Sequence, residues 1–180
     1  MKENILVIAA VRSDADFEKA LKSGVRIIFD LHPNVLTVAV KIKKAHQNGK
    51  KYFVHLDLAE GIGKDKGGVE FVKRQGADGI ISTRVNIVKL AREVGIFSVQ
   101  RFFAVDSKSV ETTLESLKAS KPDMIEIMPG VLQKVIRNIC KGVNIPVIAG
   151  GLVETEDEVR AAIDSGAAAI STGAEELWNN

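Results

Sequence analysis

The sequence is poor in cysteine, proline and aromatic side chains, which narrows the ways in which its fold can be held together. Of its 180 residues, one is cysteine, four are proline and 5% are aromatic. The single cysteine, Cys140, allows no intramolecular disulfide, and this usage is typical of a reducing cytoplasm. We therefore expect a cytoplasmic globular protein that is stabilised by a buried core instead of crosslinks.

The sequence also lacks a long apolar run and an excess of one charge. No stretch approaches the roughly 20 apolar residues that a membrane helix needs. The N-terminal MKENILVIAAV has features of a weak signal peptide, but one lysine beside Glu3 is a poor basic region, so a first buried strand fits better. The net charge of +2, from 25 basic and 23 acidic residues, neither requires nor excludes a nucleic-acid partner.

What the sequence does contain is a regular alternation of short apolar runs with longer amphipathic segments. Continuous apolar runs are typical of parallel strands that are buried on both faces. We predict strands at 5–9, 25–29, 52–55, 79–81, 97–101, 124–128, 146–149 and 168–171. We predict helices at 14–22, 35–48, 67–74, 86–93, 107–120, 131–140, 156–164 and 175–178. Capping boxes are expected at Ser13 with Asp16 and at Thr155 with Glu158.

Eight strand–helix units in one domain favour a closed (β/α)8 barrel, because doubly wound open sheets usually have five or six strands. Such barrels are typically about 250 residues long, so a chain of this length requires short loops and short helices. We predict that residues 1–180 form a single compact TIM-type barrel domain. An open α/β sheet is the alternative fold.

Polar residues collect where the predicted strands end. In a (β/α)8 barrel the C-terminal ends of the strands carry the function. The residues at these ends are Asp30, His32, His55, Asp57, Glu60, Ser82, Thr83, Arg84, Gln100, Arg101, Glu126, Pro129, Gly150, Gly151, Ser171, Thr172 and Gly173. This asymmetry predicts a functional site at one mouth of the barrel.

The last two strand ends indicate a phosphate site. PVIAGGL follows the seventh predicted strand and ISTG follows the eighth, and these two loops are the usual phosphate site of the fold. Glycines let backbone N–H groups approach an anion closely, and Ser171 and Thr172 can add hydroxyl donors. A tight turn without a ligand is the alternative explanation for Gly150 and Gly151.

Cations at the same mouth could balance the charge of a phosphate. Arg84 and Arg101 follow the fourth and fifth strands, and Lys64 lies in the loop after the third. A buried arginine without a ligand would need a carboxylate, and Glu126 could supply one. A structural ion pair between Arg101 and Glu126 is therefore the alternative to ligand binding.

Histidine and aspartate at neighbouring strand ends suggest a second kind of chemistry. His55 and Asp57 share one face of a strand, and Asp30 and His32 have the same spacing on the strand before. Such a set could hold a divalent metal. A metal-dependent enzyme that acts on a small phosphate ester is thus an alternative function, although we expect no cofactor.

A lysine-rich segment is a candidate surface for a polymer partner. No acidic residue lies between Asp30 and Asp57, and this interval contains Lys41, Lys43, Lys44, Lys50 and Lys51. Lysine patches of this kind contact nucleic-acid phosphates. An ordinary solvated helix has the same composition, and few aromatic residues lie nearby to stack on bases.

Several motifs together resemble the glycerol uptake operon antiterminator regulators, a family of glycerol 3-phosphate-responsive RNA-binding proteins. The resemblance runs in unbroken order from about residue 50 through HLDLAEGIGKDKGG, ADGIISTR, SVQRFFAVDS, PDMIEIMPGV, IPVIAGGLVETEDEV and AAISTGAEELW. It implies a non-enzymatic barrel whose complex with glycerol 3-phosphate binds the leader mRNA of glycerol-catabolism operons. The bound regulator would prevent termination and stabilise the transcript.

The resemblance also implies which residues line the ligand site. They are His55, Asp57, Lys64, Arg84, Gln100, Arg101, Glu126, Gly150, Gly151, Ser171 and Thr172, and the barrel argument adds Gly173. The segment FDLHPNVLTV departs from the family pattern, which puts a shared role for Asp30 and His32 in doubt. We expect the glycine-containing loop 58–68 to move on ligand binding, and a homodimer would help a compact barrel to bind a structured RNA.

Overall fold

The computed structural model describes residues 5–179, whose eight parallel strands close into a barrel in sequence order. The strands are β1 (Val7–Val11), β2 (Ile27–Asp30), β3 (Lys51–His55), β4 (Gly79–Ser82), β5 (Phe97–Phe103), β6 (Met124–Met128), β7 (Val147–Gly150) and β8 (Ala169–Thr172). Strand β8 pairs with β1 and completes the ring. The predicted (β/α)8 fold is confirmed, and every strand lies within two residues of its predicted bounds.

Short helices cover the outside of the barrel. They are α1 (Asp14–Lys22), α2 (Val38–Gln47), α3 (Lys66–Arg74), α4 (Val85–Val94), α5 (Ser107–Ser120), α6 (Gln133–Gly142) and α7 (Glu156–Asp164). Segments Leu56–Leu58 and Glu175–Asn179 are 3₁₀ turns. The eighth predicted helix is thus a 3₁₀ turn. Because the helices are short and the last one is replaced by a turn, 180 residues are enough to close a full barrel.

Side-chain caps define where several helices begin. Ser13 and Asp16 form the predicted capping box of α1, and Thr155 and Glu158 form that of α7. Helices α1, α5 and α7 have the predicted bounds. Helix α2 begins three residues later than predicted, because the preceding segment pairs with the loop after β3, where Val35 N donates to Glu60 O at 2.9 Å.

Two apolar layers meet at the barrel wall. Inside, the packed side chains include Ile8, Phe29, Phe53, Ile81, Val99 and Ile148. Outside, residues such as Ile28, Val54 and Ile80 pack under the helices. Successive strand residues point to opposite sides, so each polar residue at a strand end faces either the barrel mouth or a helix. Among residues 5–179, no helix combines the length and apolarity needed to span a bilayer.

Candidate functional site

A cavity of about 610 Å³ opens at the C-terminal mouth of the barrel. It lies between the loops that follow β1, β7 and β8, with the ends of β5 and β6 beneath. The cavity is lined by Ala10, Arg12, Asp16, Leu31, Arg101, Glu126, Met128, Gly151, Leu152, Val153, Glu154, Ser171, Thr172, Gly173, Ala174 and Glu176. This volume is within the range of small-molecule sites.

A buried ion pair lies at the base of the cavity. Arg101 Nε donates to Glu126 Oε2 at 2.6 Å, and their side chains are 6% and 1% exposed. A side chain at Gly150 would overlap the Glu126 carboxylate, so this glycine makes room for the pair. The hydrogen bond uses only Nε, which leaves the terminal amino groups of Arg101 for an anion in the cavity. The structural pair and a ligand role are therefore compatible.

His55 is a neutral, incompletely bonded group inside the barrel. It is 2% exposed, and its Nδ1 has no hydrogen-bond partner among the described residues. Burial, reinforced by the positive charge of Arg101, lowers the pKa of His55 to about 4. An orphaned buried polar atom costs free energy. His55 lies near the charge of Arg101 but does not itself line the cavity.

The loop after β7 has an unusual backbone at the cavity wall. Gly151 has φ = +74°, and the next residue, Leu152, has φ = +59° with a 65% exposed side chain. For a residue with a side chain this conformation costs roughly 1–2 kcal/mol. The turn lies at the position where the sequence predicts phosphate binding.

The loop after β8 completes this wall of the cavity. Ser171 and Gly173 line it. The Thr172 hydroxyl donates to Val153 O at 2.6 Å and accepts from Ala174 N at 2.9 Å, so it joins the β7 and β8 loops. Of the two predicted hydroxyl donors, Thr172 therefore already uses its hydroxyl to connect the two loops. The Ser171 hydroxyl has no such role, and Ser171 lines the cavity.

Comparison with known proteins decides the family. The family model described as glycerol-3-phosphate responsive antiterminator matches residues 7–178. The chain belongs to this antiterminator family. A curated relative, the uncharacterized protein YgcP of Escherichia coli K12, is 39% identical over 173 residues, which cover 96% of this chain and 91% of YgcP.

Two solved structures of glycerol uptake operon antiterminator or antiterminator-related proteins are similar to this chain in both sequence and fold. A glycerol uptake operon antiterminator regulatory protein from Listeria monocytogenes has a TM-score of 0.92 and 33% identity, covering 98% of this chain and 96% of that chain. An antiterminator-related protein from Thermotoga maritima has a TM-score of 0.86 and 36% identity, covering 96% of both chains. Aldolases match at 15% identity or less and share the barrel fold alone.

Six residues that the antiterminator resemblance placed in the ligand site do not line the cavity. Two of them, Gly150 and His55, lie next to Glu126 and near Arg101, respectively, without lining the cavity. Gln100 faces helix α5, where its amide bonds to Ser116 and Ser120. Lys64 Nζ donates to backbone carbonyls of its own loop, those of Ala59 and Ile62. The other two residues, Asp57 and Arg84, lie together at the neighbouring β3–β4 edge of the mouth.

Asp57 acts as a clamp between two loops. Its Oδ1 accepts from Ser82 Oγ at 2.7 Å, and its Oδ2 accepts from Thr83 N at 2.7 Å and Thr83 Oγ1 at 2.8 Å. Burial alone would raise the pKa of Asp57, but these hydrogen bonds outweigh it and lower the pKa. Arg84 Nε lies 3.8 Å from Oδ1. The strand alternation that predicted an inward Asp57 stops at His55, because a 3₁₀ turn begins at the next residue.

The structure separates the residues of the alternative metal site. Asp30 points away from the mouth, where it accepts a hydrogen bond from the Tyr52 hydroxyl and lies 3.6 Å from Lys41 Nζ. Among the described residues, no group of three or more His, Cys, Asp or Glu side chains is placed to hold a metal ion. Asp30, His55 and Asp57 therefore do not converge on one point.

Two lysines of the predicted RNA surface are held by carboxylates. Lys41 Nζ lies 2.8 Å from Asp14 Oδ1 and also faces the buried Asp30, and its side chain is 13% exposed. Lys44 pairs with Glu18 of helix α1. These charges are largely neutralised by partners on the same surface.

A third lysine of that surface is buried. Lys50 Nζ donates to Ser23 O at 2.8 Å and to Val25 O at 2.6 Å, and burial lowers the pKa of Lys50. A side chain in this position cannot contact an RNA phosphate, so the prediction for Lys50 is wrong. Lys43 and Lys51 remain exposed.

Arg12 is a cavity residue that the sequence did not identify. It follows β1 directly and lines the cavity, together with the acidic residues Asp16, Glu154 and Glu176. The predicted first strand ended at residue 9, two residues too early, so Arg12 was not recognised as a strand-end residue. The correct strand end would have placed it with Arg101 as a second cation of the site.

Proposed function

We propose that this protein is a non-enzymatic sensor of glycerol 3-phosphate that regulates glycerol catabolism. Membership of the antiterminator family over residues 7–178 supports a regulatory role. The observation that carries the ligand assignment is the cavity at the β7–β8 loops with the buried Arg101 at its base. Glycines, a hydroxyl and a preoriented guanidinium suit a phosphate monoester.

The proposed ligand pose follows from the charges and polar atoms of the cavity. The phosphate lies against Gly151, Ser171 and Gly173, where backbone N–H groups and a hydroxyl can donate. The terminal amino groups of Arg101 balance its charge. The glycerol hydroxyls lie toward the Glu126 carboxylate, which lines the cavity. No cofactor or metal ion enters this proposal.

The proposed output is antitermination through RNA. The liganded protein binds the leader mRNA of glycerol-catabolism genes, prevents termination and stabilises the transcript. A ligand can shift such an equilibrium only by its differential affinity for the two states. The cavity lies between loops of several strands, so occupancy can favour one arrangement of the mouth. The alternative, a metal-dependent phosphate-ester enzyme, has no support from the placement of Asp30, His55 and Asp57.

Thermal unfolding tests the ligand assignment. Glycerol 3-phosphate at 100 times its Kd should stabilise the protein by about 2.7 kcal/mol, and glycerol at the same concentration should have no effect. The double variant Arg101→Met/Glu126→Met, which removes both charges of the pair, should lose this response. Arg84→Gln, which removes a mouth cation outside the cavity, should retain it. Equal stabilisation by glycerol, or a full response in the double variant, would contradict the proposed site.

A further inference from the structure

Helix α6 presents three cations on one exposed face. Lys134, Arg137 and Lys141 are all exposed. At 100° per residue, their side chains point within about 60° of one another around the helix. The stripe is about 10 Å long at 1.5 Å per residue, which matches a few consecutive charges of a nucleic-acid strand at one charge per about 3.4 Å.

Unlike Lys41 and Lys44, the α6 cations have no carboxylate partner within the described part of the chain. No acidic residue occurs from Ile127 to Val153. Among residues 5–179, none of the three side chains lies within 4.0 Å of a carboxylate. Their field is therefore available to an external polyanion.

The opposite face of α6 fixes the orientation of this stripe. Ile136 and Ile139 are buried against the barrel, and Val135 and Cys140 pack beside them. A helix held by such an apolar face cannot rotate its cations away from solvent. The stripe is a permanent feature of the folded surface.

A groove between α5 and α6 extends the basic surface. Lys118 and Lys121 at the end of α5, with Gly142 at the end of α6 and Asn144 after it, line a concavity of about 420 Å³. On the other side of α6, helix α7 begins with an acidic turn at 156–158. A basic surface with an acidic border favours one orientation of a bound polyanion, because like charges repel it on that side.

The loop that leads into α6 is attached to the wall of the ligand cavity. Gly130 N donates to Gly151 O at 2.9 Å. A side chain at Gly130 would lie 2.8 Å from Gly150 N, so the two loops are in close backbone contact. Gly151 lines the cavity. Occupancy of the cavity can thus be transmitted to the start of α6.

We propose that the α6 stripe (Lys134, Arg137 and Lys141) is the surface that binds the phosphates of the RNA. This inference rests on the proposed antitermination function and gives it an interface. It replaces the α2 region, where three of the five predicted lysines are paired or buried.

Binding of a leader transcript by charge-matched variants tests the inference. The probe is a transcript of the leader that precedes the glycerol-catabolism genes in the source genome, with glycerol 3-phosphate present. The test variant is Lys134→Gln/Arg137→Gln/Lys141→Gln. The control, Lys43→Gln/Lys51→Gln/Lys89→Gln, removes three exposed charges elsewhere. Both variants should keep the wild-type thermal response to glycerol 3-phosphate, which verifies folding and an intact cavity.

We expect the α6 variant to bind the RNA roughly 10- to 100-fold more weakly at 0.1 M salt, with a log–log salt slope smaller by about 2. The control variant should bind within about threefold of wild type, since its charges lie outside the interface. Wild-type affinity in the α6 variant, or a larger loss in the control, would overturn the α6 interface while antitermination stands. No RNA binding by the wild-type protein with or without glycerol 3-phosphate would overturn the proposed function itself, and the interface with it.

Discussion

At the scale of single residues, the Arg101–Glu126 pair combines a structural task with a proposed ligand task. Arg101→Met should destabilise the protein by about 3–5 kcal/mol, because it leaves the Glu126 carboxylate buried and unpaired. Adding Glu126→Met should recover most of this loss, since an apolar pair needs no desolvated charge. Urea unfolding measures both values. If the double variant is no more stable than the single variant, the pair is not the dominant interaction at the cavity base.

The other residue-scale prediction concerns His55 and acid stability. Its pKa falls from 6.5 in the unfolded chain to about 4 in the fold, so the unfolded state binds the proton first as the pH drops. Between pH 6.5 and pH 4 the protein should therefore lose up to roughly 3 kcal/mol of stability through this group. In the His55→Gln variant, the free energy of unfolding should depend less on pH over this interval. Urea titrations at several pH values measure it. Identical pH profiles for the two proteins would show that the imidazole is not held neutral by burial.

The sequence located several cavity residues along the chain, but it could not give the direction in which each side chain points. Arg101, Glu126, Gly151, Ser171 and Gly173 line the cavity, as expected from their strand ends. Gln100 was predicted beside Arg101, yet neighbouring strand residues face opposite sides, so only one of the two could point inward. The partners of Lys41 and Lys44 lie on helix α1, and no local pattern predicts such tertiary ion pairs.

At the scale of elements, Asp57 joins the loops after β3 and β4. Asp57→Ala should cost about 2–4 kcal/mol in urea unfolding, because three hydrogen bonds to a carboxylate are lost. Hydrogen exchange should accelerate at the Thr83 amide. The comparison variant is Asp65→Ala, which removes one cap contact to Gly68 N at the start of α3 and should cost about 1 kcal/mol. Equal effects of the two substitutions would contradict the clamp.

Element boundaries followed the sequence wherever a local signal defined them. The capping boxes of α1 and α7 are local, and those helices were predicted correctly at both ends. Helix α2 lacks a side-chain cap, and its start depends on pairing of the Asn34 region with Glu60, 26 residues later. The late start of α2 therefore could not be predicted from its own sequence.

At the scale of the whole molecule, closure of β8 on β1 predicts a single cooperative unit. Trp178 is the only tryptophan, is 2% exposed, and donates through Nε1 to Thr172 O at 3.0 Å, next to the cavity wall. Its fluorescence and the far-UV circular dichroism should change at the same urea concentration. Glycerol 3-phosphate should move both transitions equally. Separate midpoints for the two signals would contradict a single folding unit.

Occupancy of the cavity should control RNA binding, and one equilibrium measurement tests this control directly. The affinity of the wild-type protein for the glycerol-operon leader transcript is measured by fluorescence anisotropy at fixed salt, with saturating glycerol 3-phosphate, with glycerol and without ligand. Coupling of the usual size predicts 5- to 150-fold tighter binding with glycerol 3-phosphate and no change with glycerol. The same affinity in all three conditions would contradict control of RNA binding by the cavity.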